Sequence, residues 1–264
     1  LHATWTVPVP TERPWRFHLL GAPAAPRQQE WLARLEAVSA DLVLTPETAM
    51  PTSYAQWGPD TTTRLWAHSQ RTGGHLLVGT LAEGPGGLYN SVLVWGPPGV
   101  VGRYNKRALT PVGEHTPDGL GWYARGLRIP DNGLQPGVDA TALWLRGRRG
   151  VLPVGFWVCQ EDMRIGWALD QLPAATVWLN PGNLGWFDSP WARALRLQAA
   201  RARAAETGRP VLRAETGGTT AHIDHQGRVV AAAPGPVGAD LQGVVQPHTG
   251  TTPYVRWSLW WHGL

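Results

Sequence analysis

"VLPVGFWVCQED", residues 151–162, is the stretch on which the reading of this chain turns. Residues 151–158 carry no polar side chain and have the length of a buried strand. They run into Cys159, the only cysteine of the 264-residue sequence, and then into Gln160, Glu161 and Asp162. A strand that ends at a thiol puts a reactive group where layered α/β sheets usually carry their active sites. A lone Cys is also a common small core residue. The rest of the sequence has to choose.

Outward from this strand, short apolar strands alternate with helical periodicity. Strands are expected at 16–20, 41–47, 75–81, 90–96 and 100–104, and again at 175–180. Helices are expected from Gln28 to Ser39, with Trp31, Leu32, Leu35 and Val38 on one face, over 60–72, and just beyond Cys159. Ser189 is a good N-cap and Pro190 a good first residue for a helix running to about Thr207, where Gly208 can end it. "PVLRA", "TTAHID", "RVVAAA" and "LQGVVQ" give four further strands, while 105–150, rich in Gly and Pro, reads mostly as loop. Strand–helix alternation followed by extra strands implies an α/β or α+β layered fold. With no repeat and no dividing linker, residues 1–264 read as a single domain, its core at about 15–247 and a C-terminal segment at 248–264.

A hydrophobic fraction of 43% and a charged fraction of 16% are those of a folded protein. Gly (32) and Pro (24) indicate many turns, and 16 Trp exceed what a core of this size needs. Trp favours places with one apolar and one wet edge, such as clefts and membrane interfaces. The charge of +4 and pI near 9.7 fit either an Arg-rich coding bias or attraction to anionic surfaces. No basic block with interleaved aromatics is present, so nucleic acid is not an expected partner. No stretch is apolar enough to span a membrane. Without an initiator Met, Leu1 is expected to be a boundary within a longer chain, and "WSLWWHGL" reads as an interfacial segment leading towards a membrane helix beyond it. Phosphate-loop, nucleophile-elbow and metalloprotease motifs are absent, and the nine His lack metal-ligand spacing. No cofactor and no metal are expected.

Two other strand ends carry reactive groups. Glu47 follows the strand in "LTPETAMP", and Lys106 opens "KRALTPVGE", eight residues before Glu114. Each has a plain structural reading alone: a helix cap or surface carboxylate for Glu47, a solvated loop ammonium for Lys106. Together with Cys159 they complement one another. A thiol needs a group to take its proton, a carboxylate with a pKa raised by burial can do so, and an ammonium can stabilise an oxyanion. The three supply nucleophile, base and electrostatic stabiliser for acyl transfer.

The order Glu, Lys, Cys, each after a strand, resembles the carbon–nitrogen hydrolase (nitrilase) superfamily. Seven stretches in order, "TPETAMP", "LYNSVLVW", "YNKRALTPVGEHTP", "VCQED", "NLGWF", "RARAAETGRPVLRAETGGTTAHIDHQGRV" and "TPYVRW", resemble its membrane branch, the apolipoprotein N-acyltransferases. They cover most of 41–257. The resemblance implies a four-layer αββα sandwich, with Glu47 as general base, Lys106 as oxyanion stabiliser and Cys159 as nucleophile. Glu114 would hold Lys106 and the base in place, and Glu161 would support the site.

The activity implied is transfer of an acyl chain from a phospholipid to Cys159 as a thioester, then to the N-terminal amine of the diacylglyceryl-cysteine of a lipoprotein. The place implied is the cell inner membrane, with the catalytic domain on its outer, periplasmic face and against the membrane surface. The chain departs from the branch's usual pattern at Gln160, Leu184, Glu215 and the "RALRL" stretch, all near the pocket in the family. A soluble amidase or nitrilase acting on a small amide is the alternative from the same superfamily, and a non-catalytic lipid- or lipoprotein-binding module is the alternative from another class.

Overall fold

The computed structural model describes residues 6–11, 13–22, 28–111, 113–116, 122, 133–138, 141–185, 189–233 and 239–262. Two six-stranded sheets form its centre. The first contains β2 (Trp15–Leu19), β3 (Leu42–Leu44), β4 (His75–Gly84), β5 (Gly87–Gly96), β6 (Gly99–Asn105) and β13 (Leu241–Val245), in the order β13-β2-β3-β4-β5-β6. The second contains β7 (Leu143–Gly147), β8 (Gly150–Phe156), β9 (Val177–Asn183), β10 (Val211–Thr216), β11 (Thr220–Ile223) and β12 (Val229–Ala233), in the order β12-β11-β10-β9-β8-β7. Each sheet has a parallel centre, β2-β3-β4 or β8-β9-β10, with antiparallel strands outside it. A separate two-stranded ribbon pairs β1 (Thr6–Pro10) with β14 (His248–Thr251).

The period-2 alternation of strand side chains builds the layers. Leu42, Leu44, Leu77, Val92 and Val94 point inward from the first sheet to meet Val154, Phe156, Val177, Leu179 and Leu212 of the second. Their alternate neighbours face out. Val43, Leu76, Val78 and Leu93 pack under α1 (Gln28–Ala37) and α2 (Pro59–Thr72), against Trp31, Leu32, Leu35 and Leu65. Trp157, Trp178, Val211 and Ile223 pack under α3 (Gly166–Leu169) and α4 (Pro190–Thr207), against Ala168, Ala200 and Ala204. The result is the αββα sandwich, both faces of each sheet covered. Each buried Leu, Ile, Val or Phe contributes about 1.5–3 kcal/mol.

Several expectations met a different local outcome. The segment 105–150 contains β7, whose Leu145 fills the inter-sheet core while Trp144 is 59% exposed; Gly and Pro around it hid the alternation. Beyond Cys159 the chain forms a 3₁₀ turn, Cys159–Met163, and the turn begins at the cysteine itself. The segment 248–264 supplies β14 and the ten-residue helix α5 (Pro253–His262), and among the described residues no helix is long and apolar enough to cross a membrane. The tryptophans divide: Trp15, Trp31, Trp57, Trp95, Trp157 and Trp178 are core residues, whereas Trp66, Trp191, Trp257, Trp260 and Trp261 are exposed. The α4 helix is as expected, with the Ser189 hydroxyl accepting from the Ala192 amide and Gly208 closing it at φ +65°. "NLGWF" runs beyond the described residues at 186–187.

Candidate active site

Three strand ends meet. After β3 the chain turns through Thr45 and Pro46 to Glu47, lying directly on the β4 backbone: Gly79 N–H donates to Thr45 Oγ1 at 2.9 Å and Met50 N–H to the Gly79 carbonyl at 3.0 Å. A Cβ at Gly79 would overlap the Pro46 carbonyl oxygen and come within 3.1 Å of Glu47 Cα, so the close approach needs glycine. Lys106 follows β6 and is fixed at both backbone ends, its N–H donating to the Asn90 carbonyl and its own carbonyl accepting from Gly137, each at 2.8 Å. Cys159 follows β8, from the facing sheet.

Lys106, only 1% exposed, is flanked by two carboxylates. Its Nζ lies 2.8 Å from Glu47 Oε1 and 2.7 Å from Glu114 Oε2. Asn90 Nδ2 donates to Glu47 Oε1 at 2.7 Å and to Glu114 Oε1 at 2.6 Å, and the Thr110 amide donates to Glu114 Oε2 at 2.7 Å. Burial alone would lower the Lys106 pKa, but the charges of Glu47, Cys159 and Glu114 outweigh it and raise it. Burial likewise works to raise the Glu114 pKa, and Lys106 overrides it and holds the group below its ordinary value. The ammonium is therefore locked on.

Cys159 is half-buried against the inter-sheet core and adopts φ +52°, a left-handed conformation unusual for a residue with a Cβ. Holding it there costs about 1 kcal/mol or more. Its carbonyl accepts from Arg196 Nη2 and from Asn180 Nδ2. Burial first, then the Glu47 charge, push the thiol pKa up to about 12, while Lys106 and Arg196 pull the other way. The thiol is neutral at pH 7, so any attack by this sulfur would require a partner to take its proton.

Glu161 joins two loops. Its Oε1 accepts from the Arg107 and Ala108 amides at 2.6 and 3.0 Å, and its Oε2 from the Val158 amide at 2.7 Å and the Tyr104 hydroxyl at 2.9 Å. Burial raises its pKa against the pull of these donors. Gln160 reinforces the same junction, donating to the Leu109 carbonyl at 3.1 Å. These bonds tie the Lys106 loop to the Cys159 turn.

Beneath the cysteine lies a buried charge network that sequence reading did not assemble. Asp162 is fully buried, its Oδ1 on Arg196 Nη1 and its Oδ2 3.1 Å from Arg213 Nη1, which also donates to Asn180 Oδ1. Glu215 sits with Oε1 2.5 Å from Arg213 Nη2, its pKa raised by burial, and it fits because Gly182 and Gly218 carry no side chain. Asn90 lay inside a quoted motif, and Arg196 inside the departing "RALRL" stretch. Those positions were the only available signal. Leu184, another departure, is buried beside Gly218. Among the described residues, no three His, Cys, Asp or Glu side chains converge as a metal-ligand set would.

Glu47, Lys106 and Glu114 thus form one hydrogen-bonded cluster, near enough to Cys159 for the charges of Glu47 and Lys106 to act on its thiol. Comparison with known proteins points the same way. The chain is 35% identical over 237 residues to an apolipoprotein N-acyltransferase of Methylococcus capsulatus, covering 88% of this chain and 45% of that protein. It is 32% identical over 253 residues to the enzyme of that name from Nitrosomonas europaea (94% and 49%), and 40% identical over 168 residues to that of Bordetella bronchiseptica (58% and 29%). The chain spans at most about half the length of these relatives. In fold it is similar to Saccharomyces cerevisiae Nit3, a member of the nitrilase superfamily (TM-score 0.65, 14% identity, 96% of this chain and 95% of that one). It is equally similar to a double mutant of an amidase from Nesterenkonia sp. AN1 in complex with acrylamide (TM-score 0.65, 18% identity, 97% and 99%). The carbon-nitrogen hydrolase family model matches residues 25–241, most of both sheets and all three strand ends, and the chain belongs to that family.

Proposed function

We propose that residues 1–264 form one catalytic domain of a phospholipid-dependent N-acyltransferase acting on lipoproteins. The observation that carries this reading is the buried Lys106 ammonium held between Glu47 and Glu114, with a neutral Cys159 thiol under the influence of Glu47 and Lys106. The similarity to apolipoprotein N-acyltransferases over most of the chain supports the substrate pair.

In the first half-reaction Glu47 takes the thiol proton as Cys159 Sγ attacks an ester carbonyl of the phospholipid, and Lys106 Nζ stabilises the oxyanion. Collapse breaks the ester C–O bond, the lysophospholipid oxygen leaves with the proton held by Glu47, and the acyl chain remains as a thioester. In the second, the amine of the diacylglyceryl-cysteine attacks the thioester, Glu47 takes the amine proton, and the thiol leaves as the amide forms. Glu114 and Asn90 hold Lys106 and Glu47 in register. Glu161 fixes the turn from which Cys159 projects. We place the domain at the periplasmic face of the inner membrane on the same similarity.

The direct test is incubation with a phospholipid, followed by intact-mass and peptide mass spectrometry. Wild type should gain one acyl group on Cys159 and release it to an N-terminal diacylglyceryl-cysteine peptide. The fold favours a second reading, hydrolysis of a small amide, because the amidase neighbour aligns over nearly its whole length. Ammonia release from short aliphatic amides without phospholipid acylation would select it. Tight lipid binding, unchanged in Cys159→Ala and with no adduct on wild type, would select a binding module.

A further inference from the structure

One open cleft of about 550 Å³ is lined by Arg107, Met163, Arg164, Ile165, Gly166, Trp167, Asp170 and Arg203. It begins where the active-site segments end. Arg107 is the residue after Lys106, and Met163 closes the 3₁₀ turn opened by Cys159, about 8 Å further along its axis. Arg203 is near enough for its charge to act on Asp162, at the base of the cysteine turn. The cleft and the thiol are thus linked by two rigid, short connections.

The lining combines two chemistries. Arg107 stacks over the Trp167 ring, 4.5 Å from its centre, and pairs with Asp170 at 2.6 Å. Arg203 pairs with Glu206 at 2.6 Å. Arg107 Nη1 and Arg203 Nε are nevertheless buried without a hydrogen-bond partner among the described residues, and Arg164 is exposed on the rim. Buried guanidinium nitrogens left unpaired are costly, and phosphate oxygens are their natural acceptors. Met163, at 45% exposure, and Ile165 add an apolar wall beside these cations.

We propose that this cleft binds the phosphodiester of the acyl donor, with Arg203 and Arg164 on the phosphate and Met163 and Ile165 along the lipid. Met163 on the cleft wall shares one 3₁₀ turn with Cys159, and the glycerol unit of a phospholipid joins its ester carbonyl to its phosphate. Arg107 stays mainly with Asp170 and orients the wall. The inference rests on the acyl-transfer reading and makes these arginines determinants of donor binding, acting in KM.

The test compares wild type, the double variant Arg164→Gln/Arg203→Gln, and Arg146→Gln on β7 as a charge control. Two acyl donors are used: phosphatidylglycerol vesicles and a phosphate-free p-nitrophenyl acyl ester. The double variant should raise the KM for vesicle phospholipid at least about tenfold, with kcat and the rate on the phosphate-free ester unchanged and with the control behaving as wild type. Calorimetric titration with glycerophosphoglycerol should show binding to wild type that the double variant weakens about tenfold.

An unchanged KM, an equal loss with the phosphate-free ester, or an equal loss in Arg146→Gln would overturn the proposal. So would absence of diester binding to wild type. Inorganic phosphate binding as tightly as the diester would assign the cleft to free phosphate and remove the lipid role. Failure of the acyl-transfer reading has a separate signature, absence of any Cys159 adduct from either donor, and leaves the diester titration to decide the cleft.

Discussion

Lys106 Nζ lies 2.8 Å from Glu47 Oε1 across 59 residues of sequence, in a place where neither group reaches bulk water. Such a pair is costly to bury and more costly to break, because the survivor is a lone charge in a low-dielectric site. Its presence beside the one thiol of the chain is best understood as chemistry rather than stability.

Replacing Lys106 by Met therefore has two expected effects. Acyl-enzyme formation is abolished, read by mass spectrometry of Cys159. Glu47 and Glu114 lose their shared cation, lowering stability at neutral pH by about 3 kcal/mol. Without the cation nothing holds the Glu114 pKa below its ordinary value, so stability recovers as pH falls and Glu114 protonates. Urea unfolding near neutral and mildly acidic pH checks the sign. An unaltered acylation rate would remove Lys106 from the mechanism.

Asn90 donates to both carboxylates from one nitrogen. Asn90→Ala should leave Cys159 accessible while cutting acylation roughly tenfold or more, because each carboxylate loses a donor worth about 1–3 kcal/mol. Wild-type acylation kinetics in this variant would show that Lys106 alone orients the base.

At Gly79 the space beside the Glu47 loop is the issue. Gly79→Ala forces the Pro46 carbonyl away and should cost about 1–3 kcal/mol together with most of the activity. Gly58→Ala, where an added Cβ meets nothing within 4 Å, is the matched control and should be close to neutral. Equal stability of the two variants would contradict the close packing of this loop.

The buried network under Cys159 predicts a different pattern. Arg196→Met leaves Asp162 with Arg213 alone and the Cys159 carbonyl with Asn180 alone. A loss of about 3–5 kcal/mol is expected. Arg196→Lys should recover part of the stability and little of the acylation rate, since one ammonium cannot serve both acceptors as a planar guanidinium does. Full recovery of rate by Lys would show that only the charge matters.

His222 packs edge-on against Phe17, ring centres 5.0 Å apart, and burial pushes its pKa down to about 4. It stays neutral in the fold while the unfolded chain protonates near its ordinary value. Its contribution is full above about pH 6.5 and is lost as pH falls towards about 4. Between about pH 7.5 and about pH 5 this amounts to about 2 kcal/mol, which His222→Gln should remove from the pH dependence measured in urea. An identical pH slope in the variant would place the effect on other groups.

Sequence by itself determined the strands and the positions of Glu47, Lys106 and Cys159, because apolar periodicity and the residue that interrupts it are local properties. It also fixed the α4 helix through Ser189, Pro190 and Gly208. It underread β7, where Gly and Pro flank a short alternation, and it did not resolve β14 and α5 within the C-terminal segment. Only the tertiary structure decided that Asn90 joins the two carboxylates, that Glu161 accepts from the Arg107, Ala108 and Val158 amides and the Tyr104 hydroxyl, and that Asp162, Arg196 and Arg213 form one network. The partners from other segments stand 24 to 57 residues apart, and no local pattern records which buried donor meets which acceptor. Long-range pairing is set by the folded backbone, because a buried polar group must find its partner wherever the packed sheets bring one.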